Sequence, residues 1–341
     1  MSILDWLFGA KQALPGQFDP ALMREAVDFL LRRIDPRLML VSDYQQRLLE
    51  PMATTICHLR DILDGLPASR PCHPDNWSQD VYLRAFFAAP DSLEAAVNRS
   101  QELREYFEAN PALDTVHALL GMRVRRKQVF GVALKGEVMQ HDVQKTVWSF
   151  EDHKLRFVGS DSQHLRRAIA EGVLDQLAQY MLEQIEGEQA QRSMLEQERA
   201  ALKTRQQLLQ RQGHGLTAML GDENTPSQQD QQRVQQLLDE NDQALQQMGA
   251  AHESLEKYLT QLQQLLGQPE QTIPVHQQTV RLDQMNTEVE ESPTVVSNPR
   301  TLTVIQVVAD PLHERTFMLV QIRREQLKTS SALLDDAFKL L

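Results

Sequence analysis

The chain has 341 residues, of which 41% are hydrophobic and only 6% aromatic, and its formal net charge is -12. This acidic balance argues against non-specific binding of nucleic acid, which needs a basic surface. Two cysteines are too few for a disulfide framework, and no apolar run reaches the ~20 residues of a membrane span, so the sequence predicts a cytoplasmic protein.

Residues 1–14 form an amphipathic segment with Trp6, Leu7 and Phe8 near its centre. Trp and Phe favour the headgroup zone of a bilayer, so residues 3–8 could attach the chain to a membrane surface. The segment is short, and Asp occurs where such anchors usually carry Lys or Arg. We therefore favour a terminal helix that packs on the neighbouring domain.

Residues 15–121 show apolar positions at helical spacing and predict a helical domain of about five or six short helices. Asp35-Pro36 is expected to end the first helix, because a residue before proline is displaced from helical geometry. The next helix is expected to begin near residue 38 and to be interrupted at Pro51. The last helix of the domain is predicted over residues 111–121.

Residues 122–161 predict an antiparallel β meander, because β-branched and aromatic residues alternate with polar ones between turn signals. The triplet 151–153, Glu-Asp-His, is expected to be a tight turn. The predicted strands are residues 128–134, 143–150 and 154–158.

The same segment contains the one net-basic stretch of the chain. Its basic residues are Arg123, Arg125, Arg126 and Lys127. Such a patch could contact phosphate groups or an acidic partner. A solvated strand edge is the favoured interpretation, since positive charge there discourages pairing with other strands.

Residues 162–268 predict a long antiparallel coiled-coil hairpin with its turn near residues 213–227. The second helix has a seam whose spacing alternates between four and three residues, an average of about 3.5, the period of a left-handed coiled coil. The seam residues are Val234, Leu238, Asn241, Leu245, Met248, His252, Leu255, Leu259, Leu262 and Leu266. The seam of the first helix is weaker, because Glu188, Arg192 and Arg199 interrupt it.

Two polar residues, Asn241 and His252, lie in this seam. Polar seam residues commonly fix the register of a coiled coil at some cost in stability. His252 could also make helix pairing sensitive to pH. A locally solvated gap in the seam is the favoured interpretation.

Residues 269–341 predict strands at 280–285, 301–308 and 315–323, followed by a helix at 330–341. An antiparallel hairpin returns the chain to its starting point, so these strands are expected to join those of residues 122–161 in one sheet. Two separate β modules are the alternative. The predicted fold class is α+β and mainly helical, with the hairpin inserted between the strands of a small antiparallel platform.

The sequence contains one Cys/His cluster, Cys57-His58 and Cys72-His73. Adjacent residues on a helix diverge by about 100°, so these pairs do not predict a metal site. Phosphate-binding glycine loops and the nucleophile elbow of hydrolases are missing from the sequence, so we expect no cofactor.

The leading hypothesis is a non-enzymatic cytoplasmic adaptor or scaffold. Its coiled-coil arm would bind a partner protein or a second copy of the chain. One alternative is an enzyme with its site between the helical domain and the β platform. The other is a peripheral membrane protein anchored by residues 3–8.

Overall fold

The computed structural model describes residues 20–135, 138–214, 228–248, 251–289, 300–307 and 314–328. The helices are α1 (Pro20–Ile34), α2 (Tyr44–Gly65), α3 (Val81–Phe86), α4 (Pro90–Arg99), α5 (Gln101–Ala109), α6 (Ser162–His214), α7 (Gln228–Gln247), α8 (Ala251–Gly267) and α9 (Pro269–Thr272). The strands are β1 (Arg70–Pro71), β2 (Thr115–Lys135), β3 (Val138–Gly159), β4 (Val275–Leu282), β5 (Arg300–Val307) and β6 (Arg315–Arg323). The predicted α+β fold with mainly helical content is confirmed.

Several predictions fall outside the described residues. They are the amphipathic segment with Trp6, Leu7 and Phe8, the turn of the hairpin, the C-terminal helix at 330–341, and the side chain of His252. Among the described helices, none has both the length and the apolar character that crossing a bilayer requires.

The strands form one sheet in the order β3-β2-β6-β5-β4, and β1 pairs with β6 outside this path. Neighbours along the path are antiparallel, whereas β1 and β6 are parallel. The pairing of β2 with β6 joins the strands before the helical hairpin to those after it. The prediction of one shared platform is therefore confirmed, and the alternative of two β modules is wrong.

The predicted meander is wrong in one respect, because β3 continues through residues 151–153. The register with β2 shifts between Gly121 and Arg123, and Asp152 has a φ of 51°. A bulge inserts extra residues without ending strand pairing, and Asp adopts this left-handed conformation more readily than most residues. The polar triplet therefore bends the strand instead of ending it.

The predicted helix at 111–121 is also wrong, because β2 begins at Thr115. Along this segment, the residues that pack into one core recur at every second position, as in a strand. The buried residues of this alternation are Val116, Ala118, Leu120, Met122 and Val124. Strand neighbours on both sides, β3 and β6, decide the conformation here, and a single sequence does not reveal them.

Pro51 does not interrupt a helix as predicted, since α2 runs continuously through it. Proline has a backbone φ close to that of a helix, but it removes one backbone hydrogen bond and crowds the carbonyl of residue i−4, so this continuous helix carries a local cost in stability. The predicted start of this helix at residue 38 is also wrong. Pro36–Leu40 is a short 3-10 turn, capped by the Asp35 carboxylate, which accepts a hydrogen bond from the Arg37 backbone N–H at 2.9 Å.

The chain divides into two compact units, and helices α2 and α6 contribute to both. The first unit contains Ala53–Val173 and the segment from Gln268 onward; the second contains Asp19–Met52 and Leu174–Gly267.

In the first unit, helices cover both faces of the sheet around Leu119 and Leu120. Helices α3, α4 and α5 pack on one face through residues such as Phe86, Phe87 and Phe107. On the other face, Leu119 and Leu319 of the sheet pack with the end of α2 and the start of α6. That second cluster is completed by Leu63, Leu165, Ile169 and Ala170.

In the second unit, α1 and the first part of α2 surround the base of the helical hairpin. Arg33 on α1 pairs with Asp175 on α6. Arg47 on α2 pairs with Glu256 on α8 at 2.5 Å. The aliphatic residues buried here are Val27, Leu30, Leu31, Leu38, Leu48, Leu174, Met181, Ile185, Leu259, Leu262 and Leu266.

Beyond Ile185, α6 and α7 pair as antiparallel helices. We call residues 186–214 together with α7 the helical arm. Gln206 donates a hydrogen bond to Gln235 at 2.8 Å, and Arg199 pairs with Asp242 at 2.6 Å. From residue 186 to 211, the side chains of α6 that are not exposed are Glu188, Arg192, Leu195, Arg199, Leu202, Gln206 and Leu209. Burial thus follows the predicted seam, and the antiparallel helical hairpin is confirmed.

Candidate interaction surfaces

The predicted seam residues of the second helix fall into two groups. Six are buried inside the chain: Val234, Leu238, Asn241, Leu259, Leu262 and Leu266. Three are only half-buried: Leu245, Met248 and Leu255. The seam therefore closes within one chain at both ends, and its middle remains partly accessible.

Asn241 connects the two helices of the arm. Its Nδ2 donates to the Leu195 carbonyl at 3.1 Å and to the Glu198 carboxylate at 3.2 Å. Its Oδ1 is buried and has no hydrogen-bond partner among the described residues. A half-satisfied polar residue costs stability, but its contacts define which turn of α6 faces α7.

The half-buried middle of the seam borders a cavity of about 400 Å³. Opposite Met248 and Leu255, the seam positions of α6 are Glu188 and Arg192. Charged heads resist burial against aliphatic side chains, so the two helices cannot close here as they do elsewhere. We call this opening the seam notch; it is lined by Arg37, Glu188, Gln189, Arg192, Met248, Ser254, Leu255 and Tyr258.

The polar groups of the notch are held in place by hydrogen bonds and ion pairs. Glu188 accepts from Lys257 Nζ at 2.6 Å and from the Tyr258 hydroxyl. Burial, and then this bond to Glu188, raise the pKa of Tyr258 to about 12. Arg37 is fixed by Asp35 through an Nη2–Oδ2 contact of 2.7 Å. The rim is thus polar and ordered, while Met248 and Leu255 supply apolar surface.

The structure divides the predicted basic patch between two faces of the β2–β3 ribbon. Arg126 is opposite Trp148 in the strand register, and its guanidinium lies 4.6 Å from the centre of that ring. It also pairs with Glu314. Arg126 is therefore engaged on the face that continues into the core, and does not share a surface with the other three residues.

The other three residues share the opposite face, because residues two apart on a strand point the same way. Lys145 joins them from β3, since it lies opposite Val129. We call Arg123, Arg125, Lys127 and Lys145 the basic ribbon face. The sequence did not indicate Lys145, because its position follows from the register between β2 and β3.

A polar cluster occupies the corner where β3 meets α6. The Ser69 hydroxyl and His117 Nδ1 are 2.9 Å apart. Burial lowers the pKa of His117, and the nearby charge of Asp161 opposes this effect. Asp161 itself caps α6 by accepting from the backbone N–H groups of Gln163 at 2.8 Å and His164 at 2.9 Å.

The two Cys/His pairs of the sequence, for which no metal site was expected, have separate surroundings. Cys72 is buried, and burial raises the pKa of its thiol to about 12. His58 Nε2 lies 3.3 Å from the Ile273 carbonyl, and His73 Nδ1 accepts from the Asp75 backbone N–H. Within the described ranges, no group of three or more His, Cys, Asp or Glu is arranged to hold a metal ion.

These observations define an α+β protein with a two-faced sheet, a helical arm and two accessible surfaces, the seam notch and the basic ribbon face. Comparisons with known protein families, with curated proteins and with solved structures find no match. Any inference about function therefore depends on the surfaces themselves.

Proposed function

We propose that the protein is a non-enzymatic cytoplasmic adaptor that binds a partner protein at the seam notch. The observation that supports this proposal is the mismatch in the seam, where Met248 and Leu255 face Glu188 and Arg192 across a cavity of about 400 Å³. An apolar floor within a polar rim is the usual composition of a protein-binding surface.

The favoured occupant is an amphipathic helix of the partner. A third helix could place its apolar side chains between the two helices of the hairpin, at the spacing that helix-in-groove recognition uses. Charged groups of both signs on the rim, Arg37, Arg192 and Glu188, favour polar side chains on the flank of that helix. The arm supports the same proposal. It has a narrow seam and many exposed polar residues, so it buries little apolar area for its length and adds little to the stability of the fold. A role in binding accounts for its length better than a role in stability.

The test is site-specific photo-crosslinking of the full chain in its host cells. A photo-reactive residue at Leu255 should capture a protein that the same residue at Met194 does not. Met194 is the matched control because it lies on the same hairpin and is 71% exposed. The captured protein is then purified, and its binding to the wild type, Leu255→Lys and Met194→Lys is measured by calorimetry.

We expect Leu255→Lys to weaken that binding by at least about tenfold, because a lysine head cannot enter the apolar floor without losing its hydration. Met194→Lys should bind like the wild type. Equal binding by all three proteins would contradict the proposal. Crosslinks at Leu255 to a second copy of the chain would contradict a separate partner and show that the notch serves self-association.

Hydrolysis is the second candidate function, favoured by the contact between Ser69 and His117. A neutral imidazole beside a hydroxyl can accept its proton and so activate it as a nucleophile. The assay follows hydrolysis of p-nitrophenyl acetate by the wild type, Ser69→Ala and Ser160→Ala. Ser160 is the control because it bonds to Asp161 and His164 instead of His117. Equal rates for the three proteins would eliminate this candidate.

A further inference from the structure

A second line of apolar residues runs along α6, outside the seam. In the part of α6 whose side chains the structure describes, the exposed large hydrophobic residues are Tyr180, Met194 and Leu208. They are 14 residues apart, which is two coiled-coil repeats, so all three keep the same position relative to the seam. Gly187 and Ala201 lie midway between them on the same line. Large and small side chains therefore alternate along this line.

The neighbouring positions widen this line into a face that is charged at its two ends alone. Residues three apart are neighbours on a helix surface, and the residues three positions after the line are Glu183, Ala190, Gln197, Thr204 and Arg211. We call these ten residues of α6 the outer stripe, and all ten are exposed. Between its two charged ends the outer stripe has no charged side chain, although α6 carries eight charged residues elsewhere in that interval. Exposure to solvent alone does not account for this distribution.

The outer stripe is complementary to itself when two copies are antiparallel. If Met194 lies beside Ala201 of a second copy, the spacing brings Leu208 beside Gly187 of that copy, so each large side chain meets a small one. The midpoint of this arrangement is within half a residue of the midpoint between Glu183 and Arg211. The carboxylate of each copy therefore meets the guanidinium of the other. A parallel copy would instead place like charges together at both ends.

We propose that the outer stripe joins two copies of this chain through an antiparallel pair of α6 helices. Both copies contribute the same face, so the contact is symmetric and closes at a dimer. About 28 residues of each helix take part, a length of about 42 Å. The apolar side chains supply the affinity, and the end charges select the antiparallel direction, since exposed ion pairs contribute little energy but define orientation.

This inference does not rest on the seam notch. Arg192 lines the notch, and Met194 is two residues further along α6. Two residues turn a helix by about 200°, so the outer stripe and the notch lie on opposite sides of α6. A dimer through the outer stripe leaves the notch open, and Met194→Lys, which would break the dimer, should leave partner binding at the notch unchanged.

The test is sedimentation equilibrium of the full chain over a range of concentrations. We expect a reversible equilibrium between monomer and dimer. Met194→Glu should raise the dissociation constant by at least about tenfold, because a carboxylate would be buried near the centre of the contact. The matched control is Lys203→Gln, which changes the charge by the same amount at an exposed position on the opposite side of α6 from Ala201. It should leave the dissociation constant unchanged.

Charge reversal tests the antiparallel direction. Glu183→Lys should weaken the dimer by about tenfold, because symmetry replaces two ion pairs by two repulsive pairs. Adding Arg211→Glu to the same chain restores both ion pairs with their signs exchanged, so the double variant should dimerise within about threefold of the wild type. A double variant that dimerises no better than Glu183→Lys would contradict the proposed register. Circular dichroism checks that each variant is as helical as the wild type.

The remaining outcomes separate this proposal from the one at the notch. A wild type that is monomeric at every concentration, or a dimer that Met194→Glu leaves unchanged, would overturn the outer stripe as an interface. A dimer that only Leu255→Lys abolishes would place self-association at the notch instead. In the photo-crosslinking experiment, the residue at Met194 should link two copies of this chain, whereas the residue at Leu255 should capture the partner. The lack of either product contradicts only the proposal that predicts it.

Discussion

The helical arm and the sheet bury their apolar residues in different ways. In the arm, each helix covers one narrow stripe, and the positions between seam residues are exposed. In the sheet, Leu120 and Leu119 point to opposite faces, and helices cover both faces at these positions. The sheet should therefore unfold as a cooperative core, whereas the arm should open locally at a lower free energy.

The largest expected effect is the difference in unfolding free energy that is lost when one buried leucine is shortened in each region. Leu120→Ala in the sheet should lower the free energy of unfolding by about 4 kcal/mol, because the neighbours on a closed core cannot fill the cavity. Leu238→Ala in the arm should lower it by about 2 kcal/mol, since the two helices can approach each other. Both residues are buried, at 1% and 5% exposure. Urea unfolding measures the difference, and equal losses would contradict the comparison.

The next prediction uses two glycines of the same helix. A Cβ at Gly172 would overlap the ring of Phe157, which the bent end of β3 holds at a φ of 55°. Gly172→Ala should therefore cost about 2 kcal/mol. A Cβ at Gly187 meets nothing within 4 Å, so Gly187→Ala should stabilise the helix by about 1 kcal/mol. Thermal unfolding of both variants should shift in opposite directions, and shifts of the same sign would contradict the prediction.

A smaller gain is expected from removing the polar residue in the arm. Asn241→Leu should stabilise the arm by about 1 kcal/mol, because it replaces a buried amide whose Oδ1 has no partner among the described residues. The same change removes the contacts that set the register with α6. Hydrogen exchange would measure the stability of the arm, and light scattering its state of association. A loss of stability would show that the contacts of Asn241 outweigh its burial cost.

The contrast between arm and sheet also explains what a single sequence can predict. The seam from Val234 to Leu266 follows from local spacing, so the pairing partner and the buried stripe could both be predicted. Strand β3 could not, because its course through Asp152 depends on pairing with β2 on one side and on the bulge that bends it. The place of Lys145 in the basic ribbon face could not be predicted for the same reason, because it depends on the register between β2 and β3.

The seam notch was only partly predictable. The sequence showed Glu188 and Arg192 as interruptions in the weaker seam. That they face Met248 and Leu255, and leave a cavity there, depends on the axial alignment of two helices whose turn lies more than 20 residues further along α6. Small errors in that alignment would have placed the polar residues opposite other partners.

The smallest predicted effect concerns the start of α6, where the sheet ends. Burial alone would raise the pKa of the Asp161 carboxyl, but hydrogen bonds from the His164 backbone and side chain and from the Gln163 backbone outweigh it and lower the pKa to about 2. A carboxyl whose pKa is lower in the folded than in the unfolded state stabilises the fold above its ordinary pKa of 3.8. That contribution should be lost as the pH falls from 3.8 towards 2.

Asp161→Asn removes the charge of the carboxylate but keeps a side chain that can cap the helix. Asparagine caps a helix about as well as aspartate, so the variant should keep most of its stability at pH 7. Because it carries no carboxyl, it should lose less stability than the wild type between pH 4 and 2, and urea midpoints at several pH values measure the difference. The effect should be modest, since Asp161 is about half exposed and solvent screens its charge. Parallel pH profiles for the two proteins would mean that the cap stabilises the helix through its hydrogen bonds alone. The charge of Asp161 would then contribute nothing to the difference in stability between the sheet and the arm.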